Sequence, residues 1–166
     1  GEPSMLKFDS LGNIKWFKRL RFDTLQNGDF KFIKNIPEED NFYYTGGSAY
    51  ELGVWNNDFI AKIDTAGDTL WVNKYHYATF YGTTKSAVVL KDKSIITTGD
   101  LLTASDYDII ARRVDSLGNT IWETIYNIPG RQEGYDITEM LDGSLIIGGS
   151  SDGDNLIMRI GFDGSL

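Results

Sequence analysis

The sequence contains no cysteine and a single histidine, His76. Without thiols there are no disulfides, thiolate zinc sites, iron–sulfur clusters or cysteine nucleophiles. One histidine excludes multi-histidine metal sites and leaves a Ser-His-Asp triad a single base to draw on. No apolar run approaches the 18 residues that a membrane-spanning helix needs. The opening residues Gly1-Glu2-Pro3-Ser4 lack the charged and apolar regions of a secretory leader, so none is expected within these residues. Basic residues are few. Sixteen Lys and Arg face 24 Asp and Glu for a net charge of −8, and no basic run exists to neutralise phosphates, which argues against nucleic acid as a partner. Proline is scarce too, at three residues.

What is present is a core and many tight turns. Apolar residues make up 41% and aromatics 13% of the 166 residues, enough for a folded interior. Glycine numbers 18, about 11% against a usual value of roughly 7%. Glycine without proline is not linker composition. Together with abundant Thr and aromatics it predicts short strands joined by tight turns.

An internal repeat organises the chain. Residues 6–16 read LKFDSLGNIKW, 61–71 read AKIDTAGDTLW and 112–122 read RRVDSLGNTIW, and MRIGFDGSL at 158–166 begins a fourth copy. The turn glycines Gly12, Gly67, Gly118 and Gly164 are spaced by 55, 51 and 46 residues. Trp16, Trp71 and Trp122 follow at 55 and 51. A second signature runs in phase. It comprises Tyr44-Thr45-Gly46-Gly47-Ser48, Ile96-Thr97-Thr98-Gly99-Asp100 and Ile147-Gly148-Gly149-Ser150, with 52 and 50 residues between Gly47, Gly99 and Gly149. Two signatures on one period define the unit.

Each unit reads as four strands. In the copy from Thr83 to Tyr126, strands fall at Lys85–Leu90, Ser94–Thr98, Asp108–Val114 and Thr120–Tyr126. Lys91-Asp92-Lys93 is a turn and Leu102–Tyr107 a polar loop. Asp142-Gly143 in the next copy is a direct hairpin signal. No apolar period of 3.6 residues reaches helical length, so the expected fold class is all-β.

The turn D-x-x-G-[N/D] has a physical logic. Asp9, Asp64 and Asp115 start a type I turn, where a short carboxylate accepts backbone N–H groups. Gly12, Gly67 and Gly118 then take the left-handed position that closes a three-residue hairpin loop, where a side chain costs on the order of 1 kcal/mol. Trp16, Trp71 and Trp122 each place a large apolar body four residues later, worth roughly 2–3 kcal/mol if buried. Tyr75 and Tyr126 share the strand face of Trp71 and Trp122.

Four-stranded units of about 50 residues predict a β-propeller of antiparallel blades. The pattern in DFIAKIDTAGDTLWVNKY (58–75) and DGSLIIGGS (142–150) resembles secreted bacterial propeller repeats of the Bacteroidetes type, related to quinoprotein blades and often exported by the type IX system. The resemblance covers nearly the whole chain. It implies an extracellular or cell-surface location and specifies fold rather than activity. The pyrroloquinoline quinone and central Ca²⁺ of quinoproteins have no residues that can be placed here, so no cofactor is expected.

Residues 1–166 divide into a partial blade at 5–20, full blades at 29–76 and 83–127, and a partial blade at 134–166. About three blades are fewer than the four to eight that usually close a ring. The expectation is a segment of a larger ring. An alternative is that the strand Ile14–Leu20 completes the last blade.

Candidate sites are few. Residues at a constant place in every repeat, the nine Asp, Gly and Trp named above, read as structural, as do the turn aspartates that loosely resemble sialidase boxes. Asp152 and Asp154, and Asp106 with Asp108, are weak Ca²⁺ candidates that match no EF-hand loop and read as solvated turns. His76 reads as a surface or edge residue. Tyr50 and Trp55 lie in Ser48–Asn57, read as an irregular loop and the expected ligand-binding element, since loops at one end of a scaffold carry recognition. The sequence therefore predicts a non-enzymatic scaffold, adhesion or protein- or glycan-binding module without a membrane span. Its partners are a protein or glycan and further blades or a larger complex. Two alternatives stay open: a glycan-active enzyme with its site on the ring axis, and a cargo or accessory subunit of an outer-membrane secretion or gliding machine.

Overall fold

The computed structural model describes residues 4–19, 25–51, 54–77, 81–104 and 106–166. They form thirteen strands, β1 Ser4–Phe8, β2 Ile14–Arg19, β3 Leu25–Ile36, β4 Glu39–Glu51, β5 Val54–Asp64, β6 Thr69–Tyr75, β7 Gly82–Val89, β8 Ile95–Leu102, β9 Tyr107–Val114, β10 Thr120–Tyr126, β11 Gln132–Glu139, β12 Leu145–Ser151 and β13 Asp154–Ile160. The molecule is all-β, as the absence of a helical period requires.

The strands make four antiparallel meanders, each strand pairing with its neighbour in sequence. The first sheet is β1–β2, the second β3 to β6, the third β7 to β10 and the fourth β11–β12–β13. The first strand of each larger sheet is innermost, and β7 packs against β3 on one side and β11 on the other. Two complete four-stranded sheets are thus flanked by two smaller ones, rather than the roughly three blades expected. Among the described residues no ring closes, and β2 pairs with β1 and not with β13. The alternative in which Ile14–Leu20 completes the last sheet is therefore corrected. The edge that a fourth strand turns to the third strand of its sheet is taken by β1 in the β1–β2 hairpin.

The hairpin turns behave as the repeat demands. Gly12, Gly67, Gly118 and Gly164 have φ of 85°, 80°, 97° and 82°. The Asp64 carboxylate accepts the N–H groups of Ala66 and Asp68, both at 2.8 Å, and Asp9 and Asp115 do the same in their turns. Six N–H groups that would otherwise face solvent or the sheet end unpaired gain a short acceptor in this way across the three turns.

The glycine signature has a different cause. Each inner strand carries a β-bulge, between Phe30 and Phe32, Thr84 and Ser86, and Gly134 and Asp136. The bulge pushes a carbonyl across the sheet. A Cβ on Gly47, Gly99 or Gly149 would stand 1.9, 1.6 or 2.0 Å from the carbonyl oxygen of Asp29, Thr83 or Glu133. Only glycine fits there.

Neighbouring sheets are joined by a clasp built from the repeated Trp and turn. Trp16 Nε1 donates to Thr65 O at 3.1 Å, Trp71 Nε1 to Ser116 O at 3.2 Å and Trp122 Nε1 to Phe162 O at 3.2 Å. Each indole lies over the turn glycine of the following sheet, and a Cβ on Gly67, Gly118 or Gly164 would come within 3.0, 3.1 or 2.9 Å of it. The positive φ that the turn needs and the bare Cα that the indole needs coincide in one residue. The same strands add a tyrosine. Tyr126 OH donates to Gly164 O at 2.9 Å. Apolar side chains fill the space between sheets, with Phe32, Tyr44, Ile60, Ala87, Ile95 and Val114 between the second and third. Ile109, Ala111, Ile137, Ile147, Met158 and Ile160 are part of the larger core between the third and fourth.

Candidate functional site

A second repeated charge is also structural. Lys62, Arg113 and Arg159 occupy one repeat position and pin the first hairpin of their own sheet. Lys62 Nζ donates to Glu39 Oε2 at 2.9 Å, and Arg113 reaches Ser94 Oγ at 3.0 Å and Asp92 Oδ2 at 2.6 Å. Arg159 binds Ser144 and Asp142 in the same way. Attention therefore falls on charged residues that do not repeat.

They concentrate at one end of the sheets, where inner strands begin and the β4–β5, β8–β9 and β12–β13 hairpins turn. Among the described residues, the buried side-chain polar atoms without a hydrogen-bond partner are Asp58 Oδ1 and Oδ2, Thr83 Oγ1 and Gln132 Oε1, and beside them Asp100 Oδ1 is held by an ion pair to Lys85 Nζ. Asp58 pairs with Ser48, Thr83 with Asp100, and Gln132 with Ser151. All five atoms belong to that end.

Asp58 is fully buried. Its nearest countercharge named by geometry is Arg112 Nη1 at 3.9 Å, and Thr84 gives it weak hydrogen-bonding support without completing a well-formed bond to either oxygen. Burial pushes its carboxyl up to about 7, against the pull of Arg112. Arg112, itself buried, spends its other donors on Glu123 Oε2 at 2.7 Å and on Tyr77 OH, and its guanidinium stacks 3.4 Å from the Tyr75 ring.

A neighbouring group of charges is more open. Lys85, on the inner-strand bulge, bridges Asp100 and Glu133, with Glu133 Oε2 at 2.9 Å. Arg131 donates twice to Glu133 Oε1, at 2.7 and 3.0 Å, and stacks 4.4 Å from Tyr107, while Lys85 lies 4.7 Å from Tyr135. Burial raises the Asp100 carboxyl, whereas hydrogen bonds from Lys85 and then Arg131 hold Glu133 below its usual range. Two carboxyls that share the Lys85 ammonium are thus shifted in opposite directions. Tyr135 is half exposed, so solvent reaches this group. Towards the other end of the inner strands, Lys34, Asn35, Val88, Asp136 and Thr138 line a groove of about 330 Å³.

The sequence-derived candidates separate clearly. Asp9, Gly12, Asp64, Gly67, Asp115 and Gly118 make the turns, and Trp16, Trp71 and Trp122, on β2, β6 and β10, each clasp the next sheet. Ser48–Asn57 is not an irregular loop: its described backbone continues β4 and β5, with Glu51 paired to Val54. At 13 and 11 residues these strands outreach β8 and β9, at eight each. The side chains of Tyr50 and Trp55 lie outside the described residues. Asp152 caps the segment before β11, its carboxylate accepting Arg131 N–H at 2.8 Å. Asp154 begins β13 and is exposed, and no group of three potential metal ligands occurs among the described residues. His76 is exposed at the end of β6. The Lys85 and Arg112 groups were missed because their members are scattered over three sheets, from β5 to β11. Their one sequence signal was a break in the repeat, Arg112 standing where other copies have Leu6, Ala61 and Met158, and Asp58 where they have Ile109 and Asn155.

No protein-family model and no curated protein matches the chain. A solved structure does. The crystal structure at 1.35 Å of a protein of unknown function from Bacteroides caccae is similar with a TM-score of 0.55 and 12% identity, over 91% of this chain and 51% of that one. At that identity the likeness is one of fold. This chain spans about half the length of that protein.

Proposed function

We propose that the chain is part of a β-propeller, an extracellular or cell-surface module that scaffolds or adheres by binding a protein or glycan at one end and performs no chemistry itself. The observation that carries this reading is the division of labour between repeated and unrepeated residues. The repeated set is consumed in turns, bulges and clasps. Unrepeated charges, unsatisfied polar atoms and the longest hairpin gather at a single end, where loops on a rigid scaffold are free to vary. Continuity with further blades is supported by the chain spanning half of a similar structure. No cofactor enters this reading.

The test is a glycan array and a surface-protein binding screen with the intact chain, repeated with Tyr50→Ala and Trp55→Ala. Binding that falls at least about tenfold in Trp55→Ala with an unchanged melting temperature supports recognition at the β4–β5 tip. Unchanged binding removes the tip from the reading.

A glycan-active enzyme is the second reading, favoured by Lys85, Asp100, Glu133, Arg131 and the two tyrosines beside them. A raised and a lowered carboxyl side by side is the arrangement that acid–base chemistry needs. Against it, Asp58 and Asp100 are 0% and 5% exposed, so neither presents a carboxyl to a polymer. Polysaccharide hydrolysis by the intact chain, abolished by Glu133→Gln, would displace the binding reading.

A further inference from the structure

The molecule states three times what belongs on the outward face of a turn. Outer strands present a comb of alternate residues to the following sheet. Trp71 binds Ser116 O, Asn73 Nδ2 donates to Gly118 O, and Tyr75 OH lies 3.5 Å from Thr120 Oγ1. Trp122 and Tyr126 repeat this on Phe162 and Gly164, with Thr124 against the same glycine. Trp16 binds Thr65 O, and Lys18 pairs with Asp68. The first sheet has the same receptor, the turn Asp9–Asn13 with Gly12 at φ 85°, and nothing described lies within 4 Å of a Cβ placed on Gly12.

Beside it is a second opening. The edge of β1 away from β2 is unpaired among the described residues, and a groove of about 360 Å³ runs along it, lined by Met5, Leu6, Phe30, Phe32 and Ile33. In the second, third and fourth sheets that edge of the equivalent strand is held by the sheet's own first hairpin. The two openings are filled elsewhere by one contiguous stretch, because each clasping Trp shortly precedes the equivalent strand of the next sheet. Trp16 comes 38 residues before Val54, Trp71 36 before Tyr107 and Trp122 32 before Asp154.

We infer that the Gly12 turn and the β1 edge together form a receptor for one further segment of this repeat. It consists of a strand of pattern W-x-polar-x-Y followed by a hairpin with the glycine signature. The inference rests on the scaffold reading and adds its contact surface. A second copy of the chain does not supply this segment, since Trp16, Trp71 and Trp122 are all engaged. The occupant is a further repeat of the same polypeptide. Its indole N–H takes the Ser10 carbonyl, its ring covers Gly12, and its second strand hydrogen-bonds to β1.

The experiment adds that segment to the intact chain. A peptide of residues 69–102 is titrated against the labelled protein while the amides of Gly12 and Met5 are followed by NMR. In a second form, residues 69–106 are fused ahead of Ser4. The expected result is a saturable shift at both amides, and in the fusion an added indole N–H whose exchange slows on the order of tenfold or more. Trp→Ala in the added copy alone should abolish the Gly12 shift. An unmoved Gly12 with the fused indole exchanging as in a free peptide overturns the inference. So does a Gly12 shift that grows with protein concentration before any peptide is present, which would give the surface to a second copy. Because the array tests the β4–β5 tip, its outcome leaves this result standing.

Discussion

Two interfaces of one design are filled in opposite ways. Six residues before the turn Asp, and three before it, lie the positions occupied by Asp58 and Ala61 in the second sheet, Ile109 and Arg112 in the third, and Asn155 and Met158 in the fourth. Between the second and third sheets this places Asp58 against Arg112, both buried. Between the third and fourth sheets the same two places hold Ile109 and Met158, both in an apolar core. The clasp is common to both, so the contrast isolates what a buried charge pair adds. Buried pairs seldom add stability over apolar residues of similar size, yet losing one partner is costly. The charged interface is thus conditional on both partners, and the apolar one is not.

That difference is open to direct attack. Arg112→Met alone should cost about 3–5 kcal/mol in urea unfolding, because Asp58 is left buried and uncompensated. Asp58→Ile with Arg112→Met, which copies the neighbouring interface, should recover most of the loss. If the double variant is no better than the single one, Asp58 and Arg112 are not a pair and the contrast fails. Trp71→Ala and Trp122→Ala should each cost about 2–3 kcal/mol, since a half-buried indole and its hydrogen bond go in both cases. Unequal losses would show that the clasps are not equivalent.

The dependence of stability on pH sharpens the comparison further. A carboxyl whose folded value lies near 7, against an ordinary 3.8, binds a proton in the folded state that the unfolded state gives up. Its contribution to stability is complete below about 3.8 and is lost as the pH rises through about 7. Between pH 5 and 7 the slope attributable to Asp58 is at most about 1.4 kcal/mol per pH unit, and Asp58→Asn should flatten it. Denaturant midpoints across that range measure it. The smallest effect is expected at the end of the series. Gly12→Ala should cost only the left-handed strain of about 1 kcal/mol, whereas Gly67→Ala adds a clash with the Trp16 ring and should lose visibly more in the same assay.

The sequence was most legible where the repeat is local. The turn Asp–Gly pairs and hairpins are decided within five residues, and they stand where expected. So does the all-β class, set by the missing helical period. The role of Trp16, Trp71 and Trp122 between sheets followed from their constancy, although their acceptors, about 45 residues away, did not. What the sequence hid is of longer range. The purpose of Gly47, Gly99 and Gly149 depends on a bulge in a partner strand. The extension of Ser48–Asn57 into strands depends on pairing that overrides a glycine and a mixed composition. The Asp58–Arg112 contact joins residues 54 positions apart, and no short-range pattern announces it.

The bulge with its opposing glycine has one more consequence, for assembly rather than stability. Four sheets of similar sequence offer each strand many near-matching partners and several shifted alignments. A slip of two residues keeps every side chain on its proper face, so burial alone does not reject it. The protruding carbonyls of Asp29, Thr83 and Glu133 do, because any residue other than Gly47, Gly99 or Gly149 brought opposite them, unless it too is glycine, carries a Cβ into the oxygen. Each inner hairpin carries a notch and a tooth that engage in one alignment, and a chain that repeats itself is thereby kept in step.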